Sequence, residues 1–329
     1  CFFAAISGSG PATVAALGMI LIPAMTNVGY DKSDSAALVS ASGAIGIIIP
    51  PSITFVIYGS ITGKSVGELF ASGINPGILM GVLLILAMMF TYRGRELKLL
   101  PRATGRERLR AFVKAIPGLL MPVIILGGIY GGIFTPTEAS AVATIYALII
   151  SVLVYKSMDL KTFLQCLKES AISSANTLFI IGTSTLFTYV MAKEGISALI
   201  ANTITGVSSN PAVVMFIINI ILLILGMVME PGAILTLMLP VLLPIANTMG
   251  YNLVYFGVVV VLNLMIGQVT PPFGVCLFVI SDVNKIKLER IYKSILPFLV
   301  PLLITLAVTC IFPQVVTFLP DMLLGATAA

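Results

Sequence analysis

Two apolar stretches of this chain carry the same interruption. "IGIIIPPSITFVIYGS" spans residues 45–60, and "IGQVTPPFGVCLFVIS" spans residues 266–281. Each reads as a membrane helix with adjacent prolines in its middle: Pro50 and Pro51 in the first, Pro271 and Pro272 in the second. Proline has no N–H to donate and clashes with the preceding turn, and the residue before it avoids the α region. Both helices must therefore unwind at membrane depth. Unwound backbone is tolerated there only where protein buries it or where it lines a cavity.

The two breaks belong to a repeat. A shift of 221 residues places Pro23 on Pro244, Gly29-Tyr30 on Gly250-Tyr251, Val39 on Val260 and Ile45-Gly46 on Ile266-Gly267. The same shift aligns both Pro-Pro pairs, Ser60 with Ser281, Lys64 with Lys285, Glu68 with Glu289, Ile74 with Ile295 and Pro76 with Pro297. That makes 13 identities in 54 ungapped positions, where biased composition alone gives about a third as many. Proline and glycine dominate the matches, so the repeat preserves backbone geometry.

Composition sets the solvent. The chain of 329 residues is 58% hydrophobic and 9% charged, against about 45–50% and about 25% for a soluble domain. It reads as an all-α polytopic membrane protein. It starts at Cys1, inside an apolar run and without the basic start of a signal peptide, and so reads as lacking an N-terminal part. It has no His, which removes most catalytic triads and zinc sites, and no phosphate-binding GxxxxGK[ST]. Cys1, Cys166, Cys276 and Cys310 form no CxxC and read as apolar thiols. No enzymatic constellation is visible. A channel lacks a ring of charges, and an intramembrane protease lacks its Ser–His or paired-Asp arrangement.

Apolar runs near 20 residues predict spans at 68–92, 115–134, 138–156, 172–191, 210–229 and 291–318. The broken spans are 33–62 and 251–281. With these spans, 16 of the 18 Lys and Arg fall on one side, eight of them in residues 93–114; only Lys64 and Lys193 fall on the other. The positive-inside rule makes the rich side cytoplasmic and the C-terminus periplasmic. The broken helices then cross in opposite directions, an inverted repeat of the kind secondary transporters use. The basic run 93–114 becomes a cytoplasmic loop, in part an amphipathic helix on anionic lipid, and no nucleic-acid site. Residues 157–170 and 66–73 are expected along the two interfaces.

Upstream of each broken helix lies a further irregular stretch, "AISGSGPAT" at 5–13 and "GMVMEPGAIL" at 226–235. The helices after them, 12–27 and 233–248, are short for a full span. Each is expected to be the returning arm of a re-entrant hairpin. Gly8, Gly10, Pro11, Pro231 and Gly232 make the tips irregular, and Ser7, Ser9 and Thr13 supply hydroxyls. Glu230 is the only charged residue between Glu194 and Asp282. An intramembrane carboxylate is a functional candidate, as cation ligand or proton carrier, and plain helix capping is the alternative. Asp31, Asp34 and Glu138 read as helix caps. Freed carbonyls suit a hard cation, and helix ends attract anions. Two symmetric breaks therefore suggest two cation sites with an anionic substrate between them, against the alternative of two packing kinks.

"SGSGPATVAALG", "GYDKSDSAALVSASGAIGIIIPPSITFVIYG", "PTEASAV" and "LNLMIGQVTPPFGVCLFV" occur in that order. Together they resemble the large membrane subunit of tripartite ATP-independent periplasmic (TRAP) transporters, over essentially the whole chain. The wording around residues 5–25 is most similar to sialic-acid members, and C4-dicarboxylate carriers share most of these motifs. One departure is Glu230, where many members have Asp before the proline.

The resemblance implies an elevator-type transporter of the inner membrane, coupled to Na+, with a small membrane subunit and a periplasmic substrate-binding protein. It also implies an organic-acid substrate; a transporter or antiporter without a binding protein is the alternative. The expected organisation is a first transport repeat at 1–65, scaffold and arm helices at 66–209, a second transport repeat at 210–284 and a C-terminal arm and span at 285–329. The first sodium site is expected from Ser7, Ser9 and Gly10 with Gly46, Ile49 and Ser52. The second is expected from Met229, Glu230 and Gly232 with Gly267, Val269 and Thr270. The substrate carboxylate is expected near Ser9, Thr13 and Thr270.

Overall fold

The computed structural model describes residues 1–94, 97, 102–196, 199–200, 203, 206 and 208–325. Among them the elements are helical. A single turn, α1 (Ala4–Ser7), leads into α2 (Gly10–Asn27), α3 (Lys32–Ala44), a 3₁₀ turn (Ile45–Ile47), α4 (Ile53–Thr62) and α5 (Val66–Thr91). Peripheral helices follow: α6 (Gly105–Tyr130), α7 (Pro136–Ile149, prolonged by a wider turn over Ile150–Val154) and α8 (Leu160–Lys193). The second set is α9 (Pro211–Val228), α10 (Pro231–Thr248), α11 (Leu253–Gly267), α12 (Val275–Asn284), α13 (Leu288–Ile311) and α14 (Gln314–Leu324). Seven of the described helices are long and apolar enough to cross a membrane.

The 221-residue shift reappears in the helices. It carries both ends of α2 onto those of α10, and the start of α3 onto that of α11. It carries α4 and α5 onto α12 and α13 within one residue at each end. The two broken helices lie antiparallel. At one end the Lys32 ammonium donates to the Asn284 carbonyl at 3.0 Å. At the other the Tyr58 hydroxyl donates to the Leu253 carbonyl at 2.6 Å.

Both repeats share one core, which includes Ile22, Phe55, Phe70, Leu222, Phe256 and Phe298. Helix α11 is its axis: every residue from Val254 to Gly267 is buried. Its sequence is apolar on all sides, as a helix enclosed by others requires. Helix α3 enters the same core through small residues. A methyl at Gly43 would lie 2.5 Å from a Val14 methyl, so α2 and α3 pack backbone-close. Helices α6 and α7 form a separate small cluster around Met121, Ile125 and Ala139, and α8 packs chiefly along α10.

Several local expectations are corrected. Residues 66–73 are not a separate segment: they open α5, and Leu69, Phe70 and Ala71 are buried in the protein. Residues 157–170 are not a separate interfacial helix, because α8 runs unbroken from Leu160. The 291–318 span is two helices, parted at Phe312–Pro313. Helix α6 begins ten residues before the expected 115, fixed by a capping box between Thr104 and Glu107. Asp31 and Glu138 cap their helices as expected.

Asp34 does not cap; it ties three helices together. It accepts from the Tyr92 hydroxyl at the end of α5 and from Ser294 Oγ on α13, both at 2.7 Å. Hydrogen bonds to a charged group contribute about 1.5–3 kcal/mol each. Asp34→Ala is expected to lower the melting temperature of the purified protein clearly, and Asp34→Asn, which keeps one acceptor oxygen, by less. Equal melting for all three proteins would remove this role.

Candidate functional site

Each helix break is met from upstream, by the Gly8 turn in the first repeat and by the last turn of α9 in the second. In the first repeat, residues 48–52 are non-helical. The Gly8 carbonyl accepts from the Ile53 amide, the first of α4, at 3.3 Å. Gly8 has φ 65°, and a methyl there would meet the Pro51 carbonyl oxygen at 2.7 Å, so only glycine suits this tip. In the second repeat, residues 268–274 are non-helical. The Met227 carbonyl accepts from the Gly274 amide at 3.0 Å. Ile53 and Gly274 are equivalent under the 221-residue shift, so the same backbone donor docks both stretches. Both Pro-Pro bonds are cis.

Of the expected first set, Ser7, Ser9, Gly10 and Gly46 gather at the first break. Ser7 Oγ donates to the Ser9 carbonyl at 3.2 Å. A methyl at Gly46 would lie 2.9 Å from Thr13 Oγ1 and 3.3 Å from the Ser9 carbonyl oxygen. Thr13, expected near the substrate, is 1% exposed, and its hydroxyl has no hydrogen-bond partner. An unpaired buried hydroxyl costs about 1–3 kcal/mol. Ile49 and Ser52 lie in the same break, with their side chains turned to other partners. The Ile49 side chain packs on Gly77 of α5. Ser52 caps α4, accepting from Phe55 N at 3.3 Å and donating to the Ile47 carbonyl at 2.5 Å.

The expected second set divides. Gly267 lies against Gly226 of α9. Val269 is buried, with its amide bonded to the Ile266 carbonyl. Thr270 Oγ1 donates to that carbonyl as well, at 2.7 Å. A methyl at Gly274 would lie 3.0 Å from the Gln268 carbonyl oxygen and 3.1 Å from that of Thr270, so both carbonyls converge there. Met229 ends α9. Glu230 caps α10, accepting from Ala233 N at 3.3 Å. Gly232 faces the Glu230 carboxylate and Ile57 of α4. Glu230 and Gly232 therefore border the first repeat's α4, and capping is the role the geometry gives Glu230.

Gln268 was not anticipated as a site residue. It is 1% exposed and sits in the second break, yet its Oε1 would lie 3.1 Å from a methyl at Gly10 in the first tip. It therefore links the two halves. The available signal was one long polar side chain beside a Pro-Pro pair in an apolar run. Asn263 is a second such residue, fully buried, donating to Asn219 Oδ1 at 2.7 Å.

Among the described residues no three His, Cys, Asp or Glu converge as a metal cluster. The groups that converge are neutral: carbonyls, hydroxyls and one amide. Such donors suit a weakly charged hard cation and do not suit zinc.

The family model of the tripartite ATP-independent periplasmic transporter, DctM component, matches residues 1–315. The chain belongs to this family. It is the large membrane subunit of a TRAP transporter, and its apolar helices make it a multi-pass membrane protein. It is 42% identical to the C4-dicarboxylate TRAP large permease DctM of Pseudomonas aeruginosa, over 98% of this chain and 75% of that one. It is 39% identical to the sialic acid TRAP large permease SiaM of Vibrio cholerae, over 98% and 76%. It is 43% identical to the isethionate TRAP permease DctMQ of Oleidesulfovibrio alaskensis, over 96% of this chain and 50% of that one. These relatives are named as transport permeases, consistent with a chain that transports and does not catalyse. Identity does not favour the sialic-acid relative over the others.

Proposed function

We propose that the chain carries out sodium-coupled uptake of an organic-acid anion across the inner membrane. It would work with a small membrane subunit and a periplasmic binding protein that delivers the substrate. The observation that supports this most is the pair of antiparallel broken helices, each bonded at its break through an equivalent backbone donor, to the Gly8 turn in the first repeat and to the last turn of α9 in the second. Sodium would be held at the first break near Ser9, Thr13 and Gly46, and at the second near the Gln268 and Thr270 carbonyls. The anion would lie between the tips, where Gln268 approaches Gly10. The two repeats would move as one body past α6, α7 and α8, in an elevator motion.

Each sodium moving inward down about 100 mV contributes about 2.3 kcal/mol, and each substrate charge moving with it costs as much. Two sodium ions with one monocarboxylate therefore leave about 2.3 kcal/mol, roughly fiftyfold accumulation before the sodium gradient is counted. The substrate class is an organic-acid anion, a carboxylate or, as the 43% relative's name suggests, a sulfonate. A C4-dicarboxylate has the support of the 42% relative's name, and sialic acid that of the wording around residues 5–25.

The test is uptake into proteoliposomes holding the full complex, with labelled sialic acid and labelled C4-dicarboxylate in separate arms. Each arm is run with and without a sodium gradient, and with and without the binding protein. Uptake of either anion that needs both supports the reading. Uptake indifferent to sodium overturns the coupling, and uptake indifferent to the binding protein overturns the tripartite mechanism.

Thr13 offers a sharper probe. Thr13→Val keeps the shape and removes the unpaired hydroxyl. If the hydroxyl only burdens the fold, the variant melts at the same temperature or higher and takes up substrate normally. The cation role predicts instead about a tenfold or greater rise in the sodium concentration for half-maximal uptake.

A further inference from the structure

The cationic end of the α6–α7 pair is not used by the transport site. Arg106, Arg110 and Lys114 fall four residues apart on α6 and form one stripe. Beside that stripe, Leu109, Phe112, Val113 and Ile116 are exposed by 63%, 59%, 54% and 36%. Helix α7 returns to the same place. The Tyr155 hydroxyl donates to the Lys114 carbonyl at 3.0 Å, and the Tyr146 hydroxyl to the Pro117 carbonyl at 2.8 Å. Lys156 follows Tyr155 directly, with φ 50° where the wide turn ends. The fold thus places a fourth cationic residue, Lys156, next to the tyrosine that reaches the stripe from a different helix. Glu107 is the one acidic residue beside the stripe; the Thr104 amide and hydroxyl, at 2.7 and 2.9 Å, keep its carboxylate ionised, and four cations outnumber it.

Depth selects the occupant. Helix α6 has 26 residues in one unbroken rod, about 39 Å long. A bilayer is about 30 Å thick in hydrocarbon and about 40–45 Å with its headgroups. The apolar part from Ala115 to Tyr130, about 24 Å, fills most of the hydrocarbon. The first two to three turns then stand at headgroup depth, with a basic stripe and an apolar stripe side by side. A soluble polyanion would leave Leu109 and Phe112 in water; a phospholipid covers them with its acyl chains while its phosphate meets the arginines.

We propose that Arg106, Arg110, Lys114 and Lys156 form a binding site for the headgroup of an anionic phospholipid, with its acyl chains lying on Leu109, Phe112 and Val113. The bound lipid would anchor the α6–α7 pair in the cytoplasmic leaflet. The α6 residues that pack on the main core, Leu126, Ile129 and Tyr130, lie at the opposite end of the helix from this cluster, so the anchoring does not depend on the sodium sites.

The experiment uses the purified complex in detergent, titrated with phosphatidylglycerol, phosphatidylcholine or inorganic phosphate while melting temperature is followed. Phosphatidylglycerol is expected to raise the melting temperature at concentrations where phosphatidylcholine and phosphate do not. For R106Q/R110Q/K114Q the half-maximal phosphatidylglycerol concentration should rise by about tenfold or more. The charge-keeping variant R106K/R110K/K114R should titrate like the parent. Equal shifts from phosphatidylglycerol and phosphatidylcholine, a full effect of phosphate alone, or an unchanged titration of the glutamine variant would each overturn the site. None of these readouts involves uptake, so failure of the transport reading leaves the lipid result intact.

Discussion

Replacing Pro50 and Pro51 together by Ala is expected to reduce sodium-driven uptake to background while the protein still inserts and purifies. Proline costs a helix interior about 3 kcal/mol. Removing two lifts about 6 kcal/mol of bias against a continuous α3–α4 helix. The restored amides at positions 50 and 51 could then bond to the carbonyls of Gly46 and Ile47, four residues back. The Ile47 carbonyl now accepts from Ser52 Oγ at 2.5 Å. Closing the helix would compete with that bond and shift Gly46, whose Cα faces the Thr13 hydroxyl and the Ser9 carbonyl.

Pro271→Ala with Pro272→Ala tests the second break by the same logic. There the new amides would reach for the Gly267 and Gln268 carbonyls. Those are now taken by the Thr270 amide at 3.0 Å and the Cys276 amide at 3.1 Å. The Pro272 carbonyl would also shift away from the Tyr292 hydroxyl that donates to it. Sodium-driven uptake is again expected to vanish, with monodisperse purification as the folding control. Normal sodium-driven uptake by either double variant would sink the cation-site reading and leave the breaks as packing kinks. Uptake that persists but loses its sodium dependence would separate the ion sites from the transport motion.

The repeat was legible because proline and glycine determine backbone geometry at single positions. Pro50, Pro51, Pro271 and Pro272 located both breaks, and the helix ends of α2 and α10 follow the same shift. Helix existence was legible from apolar length. What sequence could not supply was direction in space between elements distant along the chain. Gln268 belongs by sequence to the second break and by contact to the first tip as well. Asp34 has the sequence context of a helix cap, and its partners Tyr92 and Ser294 lie 58 and 260 residues away. Glu230 stood out for its charge, yet its carboxylate serves its own helix. Continuity was misjudged where polarity changes along one rod. The basic start of α6 and the amphipathic start of α8 read as separate segments, and the helices run through them because nothing in either stretch breaks a helix.

Gly267→Ala is expected to be among the most damaging single-methyl changes. Gly267 ends α11, and a methyl there would lie 2.5 Å from the Gly226 carbonyl carbon and 2.6 Å from its Cα. Both are backbone atoms of α9, so no side chain can swing aside. The helices must separate, and overpacking of this kind costs about 1–3 kcal/mol. The separation would fall one residue from Met227, whose carbonyl docks the tip on Gly274 at 3.0 Å. Stability and uptake should therefore fall together, uptake by about tenfold or more. Gly226→Ala should be milder, since a methyl there meets Gly267 Cα at 3.2 Å and the Leu264 carbonyl oxygen at 3.3 Å. Gly127→Ala on α6 meets nothing within 4 Å and should be neutral. The expected order of melting temperature is parent and Gly127→Ala highest, then Gly226→Ala, then Gly267→Ala. A Gly267→Ala protein that melts with Gly127→Ala would mean that α9 and α11 do not approach as closely as this contact requires. The tip would then be held by the Met227–Gly274 hydrogen bond without the glycine seam beneath it.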